Sequence, residues 1–85
     1  MAEVTIYTTK VCPYCVRAKA LLERKGIEYK EISAEDEAVR ETMIQKSGGR
    51  RTVPQIFINN HHVGGCDDLY ALDKAGKLDG MLNAA

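Results

Sequence analysis

The sequence predicts an α/β fold in which a four-stranded mixed sheet is covered by helices. In some segments the apolar residues alternate, which predicts strands, and in others they lie three and four apart, which predicts helices. Along the chain these segments follow in the order β-α-β-α-β-β-α. This order contains one βαβ crossover, which joins parallel strands, and one hairpin, which joins antiparallel strands. A chain of 85 residues has room for one core, so we expect residues 1–85 to form a single domain.

The first half of the chain carries two predicted strands and two predicted helices. Pro13 suits the first turn of a helix, where its missing N–H would be unpaired anyway, and Gly26 suits the end of that helix. Ser33 and Asp36 have the spacing of a capping box at the start of the second helix. The predicted elements are a strand over 3–7, a helix over 13–25, a strand over 27–32 and a helix from Ser33 to the Gly48–Gly49 pair.

The second half carries a predicted hairpin and a third helix. Pro54 must lie at the start or edge of its strand because proline donates no hydrogen bond to a sheet. Asn59 and Asn60 suit a two-residue hairpin turn, and Gly76 suits the end of the third helix. The predicted elements are strands over 52–58 and 61–63, a helix over 66–75 and a closing helical turn with Leu78, Met81 and Leu82.

Composition excludes several classes of protein. Twelve basic and twelve acidic side chains cancel, so the positive charge expected of a protein that binds nucleic acid or a membrane surface is absent. No segment approaches the ~20 apolar residues of a membrane span, and the amino terminus lacks the pattern of a secretory signal. We therefore expect a cytoplasmic protein with neither nucleic-acid nor membrane partners.

The chain has three cysteines, an odd number that is too small for the disulfide framework of a secreted domain. Beside Cys12 and Cys15, the side chains that could bind a metal through sulfur or nitrogen are Cys66 and two neighbouring histidines, His61 and His62. Neighbouring residues of a strand point to opposite faces, so the two histidines are poorly placed to bind one metal ion together. We therefore expect no metal site.

Cys12 and Cys15 lie one helical turn apart at the start of the first predicted helix. Unpaired N–H groups and the helix dipole at this position favour a thiolate at Cys12, whereas Cys15 lies inside the helix. This pattern indicates a redox pair in which Cys12 is the nucleophile and Cys15 the resolving thiol. Two alternatives are that both cysteines only pack in the core, or that they form half of an intermolecular zinc or iron–sulfur site.

Three motifs resemble the glutaredoxin family, particularly its small bacterial members: "CPYC" at 12–15, "TVP" at 52–54 and "GGCDDL" at 64–69. The resemblance spans essentially the whole chain. It implies a thioredoxin fold and an enzyme that uses glutathione to reduce protein disulfides and glutathione mixed disulfides. It also implies a monomer whose partners are glutathione, as co-substrate, and disulfide-bearing or glutathionylated proteins, with no tightly bound cofactor.

The resemblance further implies which residues bind glutathione. Tyr14 would border the groove, and Thr52 and Val53 would present backbone groups to the cysteinyl part of glutathione. Pro54 would be a cis proline that faces the redox pair.

The γ-glutamyl end of glutathione would lie at Gly65, Cys66 and Asp67. General physical chemistry agrees, because N–H groups at the start of a helix bind a carboxylate and the carboxylate of Asp67 or Asp68 can hold an ammonium group. The alternative for both aspartates is ordinary capping of the helix.

The chain departs from the family at one position. Many relatives carry a lysine three residues before the nucleophile, where this chain has Thr9, and Lys10 lies one position nearer to Cys12. A shift of one residue in an extended loop turns the side chain to the other side. We therefore expect Arg51 to supply the positive charge for the glycine carboxylate of glutathione.

Two other functions are compatible with the motifs. One is a redoxin that is reduced by thioredoxin reductase instead of glutathione, which the helix start "CDD" and the absence of tryptophan argue against. The other is a [2Fe–2S] carrier in which two chains share a cluster through Cys12 and glutathione.

Overall fold

The structure is a computed structural model that describes residues 3–83. Its order of elements confirms the predicted one, and the predicted closing turn is a short fourth helix. The strands are β1 (Val4–Thr8), β2 (Lys30–Ser33), β3 (Gln55–Ile58) and β4 (His61–Gly64). The helices are α1 (Pro13–Arg24), α2 (Glu37–Lys46), α3 (Cys66–Lys74) and α4 (Leu78–Asn83).

The four strands form one mixed sheet in the order β2-β1-β3-β4. β1 and β2 are parallel, with Ile6 opposite Glu31, as the βαβ crossover requires. β1 and β3 are antiparallel, with Ile6 opposite Ile56, and β3 pairs with β4 as an antiparallel hairpin. The predicted mixed sheet is therefore confirmed.

Two apolar clusters cover the two faces of the sheet. Adjacent side chains of β1 point to opposite faces, so Ile6 joins the larger cluster and Tyr7 the smaller one. Helices α1, α3 and α4 contribute to the larger cluster, whereas Met43 of α2 is buried in the smaller one. Both faces are thereby removed from water, as expected for an α/β fold.

The prediction of how the second helix begins was wrong. Ser33 is not its cap but the last residue of β2, where it lies opposite Thr8 of β1. Asp36 is the N-cap, and its carboxylate accepts hydrogen bonds from the N–H groups of Ala38 at 2.9 Å and Val39 at 3.2 Å. Parallel pairing with β1 keeps Ser33 in the sheet, and the capping-box spacing contains no information about that long-range contact.

Two strands are shorter than predicted. β3 begins at Gln55 rather than at residue 52 because Pro54 has no N–H to donate to a neighbouring strand. β2 begins at Lys30 rather than at residue 27, whose N–H is used in the turn that follows α1.

The hairpin between β3 and β4 turns at the predicted pair. Asn59 and Asn60 have φ values of 52° and 66°, the left-handed conformations that a two-residue type I′ turn requires. Gly64 ends β4 with φ at 122°, and a Cβ atom there would lie 2.7 Å from Cγ of Asp68. A side chain at position 64 would therefore be both strained and crowded.

The longest helix, α1, has 12 residues, and no helix within residues 3–83 is long and apolar enough to cross a bilayer.

Gly64→Ala should lower the free energy of unfolding by about 2–4 kcal/mol, because strain at positive φ adds to the clash with Asp68. Urea denaturation measures this loss. Gly76→Ala is the matched control: φ is 74° there but nothing lies within 4 Å of the added Cβ, so we expect a loss of only about 1 kcal/mol. Equal losses in the two variants would contradict the proposed crowding at position 64.

Candidate active site

Cys12 caps the N-terminus of α1. Its backbone is extended, with φ at −151° and ψ at 95°, and Pro13 follows in the first turn of the helix. The N–H of Cys15 donates a hydrogen bond of 3.1 Å to Sγ of Cys12. The sulfur therefore takes the place that a serine or aspartate oxygen takes in an ordinary N-cap, where negative charge is favoured.

The sulfur atoms of Cys12 and Cys15 are bonded to each other as a disulfide, and their Cα atoms are 5.2 Å apart. The two cysteines differ in exposure: Cys12 is half-buried, whereas only 1% of Cys15 is exposed. Cys15 lies on the buried face of α1 with Ala18 and Leu22, as the periodicity predicts. Cys12 is thus partly exposed to solvent, whereas Cys15 is covered by the core.

The loop before β3 lies against the redox pair. The Val53–Pro54 peptide bond is cis, as the resemblance implied, and Pro54 is buried. The carbonyl oxygen of Val53 lies 3.8 Å from Sγ of Cys12. Residues far apart in the sequence are therefore in direct contact at the reactive sulfur.

A cleft of about 310 Å³ borders this contact. All but one of the residues predicted to bind glutathione line it, from the first turn of α1, the loop before β3 and the start of α3. The lining residues are Tyr14, Arg50, Thr52, Val53, Pro54, Gly65, Cys66, Asp67 and Asp68.

Asp68 stabilises the start of α3 from within. Its Oδ2 accepts a 2.9 Å hydrogen bond from the N–H of Gly65, the N-cap residue, and lies 3.2 Å from Nη1 of Arg50. The hydrogen bond from Gly65 lowers the pKa of the Asp68 carboxyl, and the Arg50 guanidinium acts in the same direction. Capping, the alternative stated for Asp68, is thus observed, whereas the neighbouring Asp67 is exposed.

The structure places Arg50, rather than the predicted Arg51, in the cleft. Arg51 is exposed and is not among the lining residues. Arg50 forms an ion pair with Asp68, which also lines the cleft. The sequence shows two adjacent arginines and does not indicate which of them faces the cleft. Lys10 lines a different cleft, together with Thr9, Lys19 and Glu31.

Cys66 is a free thiol at the first position of α3, and it is buried. Burial raises the pKa of the Cys66 thiol. Within residues 3–83, no group of three or more His, Cys, Asp or Glu side chains has an arrangement suited to a metal ion.

Residues 4–63 match the family model described as glutaredoxin. The chain belongs to the glutaredoxin family. Among its relatives, glutaredoxin 3 of Escherichia coli K12 is 59% identical over 83 residues, which are 96% of this chain and 99% of that protein. A glutaredoxin of Pseudomonas aeruginosa PAO1 is 52% identical over 84 residues, 99% of this chain and all of that protein.

Solved structures confirm the thioredoxin fold of this glutaredoxin. The solution structure of a glutaredoxin from Brucella melitensis is 59% identical with a TM-score of 0.83, covering 94% of this chain and 87% of that one. The crystal structure of a buckwheat glutaredoxin–glutathione complex is 34% identical with a TM-score of 0.87, covering 95% of this chain and 76% of that one. These likenesses make the protein a glutathione-dependent thiol–disulfide oxidoreductase, and they favour neither the cluster carrier nor the thioredoxin-reductase substrate.

Asp68→Ala should lower the free energy of unfolding at pH 7 by about 1 kcal/mol, because α3 loses a partly exposed cap. The pKa of Asp68 is lower in the folded chain than its usual value of 3.8, so this contribution is complete above pH 3.8 and is lost as the pH falls through the folded-state pKa. Urea denaturation at several pH values should therefore show the variant and the parent converging in acid.

Asp67→Ala is the matched control, since it removes the adjacent carboxylate and leaves the cap intact. We expect it to change the free energy of unfolding by only about 0.3 kcal/mol through the helix dipole. An equal loss in both variants at pH 7 would show that Asp68 acts through general charge rather than as a cap.

Proposed function

We propose that Cys12 is the nucleophile and Cys15 the resolving thiol of this glutaredoxin. The thiolate of Cys12 attacks one sulfur of a substrate disulfide, and the other substrate sulfur leaves as a thiolate that takes up a proton. The thiolate of Cys15 then attacks the Cys12 sulfur, which releases the second substrate thiol and forms the Cys12–Cys15 disulfide. The observation that supports these roles is the contrast between Cys12, a partly exposed cysteine at a helix cap, and Cys15, which is almost fully buried.

Two molecules of glutathione complete the cycle. The thiolate of the first attacks Sγ of Cys12, and Cys15 leaves as a thiolate that is then protonated. The second attacks the glutathione sulfur of that mixed disulfide, which releases glutathione disulfide and returns Cys12 as a thiolate. Attack at Cys12 rather than Cys15 follows from exposure, because an attacking thiolate must approach along the S–S axis from solvent.

The residues that line the cleft beside Cys12 suit the charged and backbone groups of glutathione. We assign the cysteinyl part to the backbone of Thr52 and Val53, which brings its sulfur to Cys12. The γ-glutamyl carboxylate is assigned to the N–H of Cys66 in the first turn of α3, where a helix start favours an anion, because the N–H of the neighbouring Gly65 already donates to Asp68. The exposed carboxylate of Asp67 then holds the ammonium group, because Asp68 already caps α3.

Tyr14 and Pro54 also line the cleft. Tyr14 borders it at the first turn of α1, and Pro54 borders it beside the redox pair. Arg50 adds positive charge inside the cleft, and a contact of Arg51 with the glycine carboxylate stays a prediction.

Protein disulfides reach Cys12 across an apolar surface. Val11 is 92% exposed, Val16 60% and Tyr14 55%, and all three lie within one turn of the nucleophile. Any polypeptide whose disulfide contacts Cys12 must cover some of this surface, which favours substrates with apolar residues beside their cysteines. We further propose that residues 1–85 act as a single domain and as a monomer in the cytoplasm, where reduced glutathione is plentiful.

Cys12→Ser should abolish glutathione-coupled reduction of both a glutathionylated peptide and a protein disulfide, because the two remaining thiols, Cys15 and Cys66, are buried. Cys15→Ser should keep activity on the glutathionylated peptide, whose mixed disulfide glutathione itself can resolve, and should lose most activity on the protein disulfide. Turnover coupled to glutathione reductase measures both. Activity of Cys12→Ser on either substrate would overturn the assignment.

Asp67→Asn should raise the KM for a glutathionylated peptide about threefold to tenfold with little change in kcat, because a charge-assisted hydrogen bond to the ammonium group is weakened. Glu41→Gln removes an exposed carboxylate from α2 outside the cleft and serves as the control. The same rise in both variants would indicate a general charge effect and would contradict the role of Asp67.

A further inference from the structure

Gln55, the first residue of β3, is fully buried, and both the nitrogen and the oxygen of its side-chain amide make hydrogen bonds. Its Nε2 donates to the backbone carbonyl of Thr52 at 3.0 Å and lies 3.2 Å from the hydroxyl of the same residue. Its Oε1 lies 2.7 Å from Nε2 of His62 on β4. A chain of hydrogen bonds therefore connects β4, through β3, to the loop that faces Cys12.

The direction of these hydrogen bonds follows from the chemistry of the atoms. A backbone carbonyl only accepts hydrogen bonds, so the NH₂ group of Gln55 must face Thr52 and its oxygen must face His62. The opposite orientation would bring two acceptors together in a buried site. Nε2 of His62 must consequently carry a proton, and the imidazole donates to Gln55.

The position of His62 is itself constrained. The half-buried ring packs on Phe57 with centroids 5.1 Å apart. Burial lowers the pKa of His62, and the charges of Arg50 and His61 act in the same direction, against Asp68. At neutral pH the ring is therefore the neutral tautomer with its proton on Nε2. Protonation in acid would add a proton at Nδ1 and would leave this donor in place.

We propose that Gln55 and His62 are positioning residues that hold the backbone of Thr52 and Val53 in the geometry that binds glutathione. This inference rests on the proposed function, in which those two residues bind the cysteinyl part of the ligand. Neither Gln55 nor His62 lines the cleft. Both act through the Thr52 carbonyl, which lies between the end of α2 and the start of β3, outside the paired part of the sheet.

The test uses the full chain with Cys12→Ser, in which glutathione binds without forming a mixed disulfide. Titration with reduced glutathione, followed through backbone amide chemical shifts, gives the Kd. Adding His62→Phe keeps an aromatic ring on Phe57 and removes the donor, so we expect the Kd to rise about threefold to tenfold. His62→Gln retains an N–H donor near the same position and should restore a Kd close to that of the parent. His61→Phe, at the exposed neighbouring position, is the control and should leave the Kd unchanged.

The outcomes separate this inference from the function on which it rests. If the Thr52 and Val53 amides of the parent do not shift with glutathione, the assigned groove is wrong and both proposals fail. If they shift but His62→Phe binds as tightly as the parent, only the inference is overturned. A Kd that stays high in His62→Gln would also overturn it, because packing rather than the hydrogen bond would then be responsible.

A second measurement needs no substitution at these positions. Ring ¹⁵N chemical shifts of His62 at neutral pH should show a protonated Nε2 and an unprotonated Nδ1. The opposite tautomer would overturn the inference, since His62 could then not donate to Gln55.

Discussion

Much of the site depends on the hydrogen bond from the backbone of Cys15 to the sulfur of Cys12. The first N–H groups of a helix have no partner within it, and Cys12 supplies a sulfur to one of them. The same arrangement sets the spacing of the pair, because the residue three positions after a cap lies one turn further along. Cys15 therefore falls on the buried face of α1 with Ala18 and Leu22, and the difference in exposure between the sulfurs follows from helical periodicity.

Sheet topology brings the remainder of the site to this helix. β1 and β4 are both antiparallel to β3, so the ends of β1 and β4 lie at the same edge of the sheet as the beginning of β3. β1 leads into the loop with Cys12, Pro54 directly precedes β3, and β4 leads into Gly65 and α3. The cleft is therefore built from three segments that are far apart in the chain and meet because their strands are neighbours.

Local patterns predicted the parts of this architecture that depend on local physics. The helix start at Pro13 and the turn at Asn59 and Asn60 follow from backbone preferences of those residues, and both are observed. The redox pair and most lining residues of the cleft were predicted from motifs. Errors arose where long-range contacts decide, as at Ser33, which pairing with Thr8 keeps in the sheet.

The cleft also contains a contact that the sequence does not reveal. The sequence offered two adjacent arginines, and only the ion pair with Asp68 distinguishes Arg50 from Arg51. The hydrogen bonds of Gln55 were not predicted either, because a polar residue in an otherwise apolar strand does not indicate its partners. The buried position of Gln55 and the pairing of β3 with β4 are both needed to find His62.

The burial of Cys66 has a consequence for the fidelity of disulfide exchange. A third thiol at the edge of the cleft could scramble the disulfides formed at Cys12, but exchange requires a thiolate. Because burial raises the pKa of the Cys66 thiol, that sulfur remains protonated at neutral pH and is a poor competitor. Under the proposed mechanism, a mixed disulfide on Cys12 is resolved by Cys15 or by glutathione, and the buried thiol of Cys66 competes poorly for it.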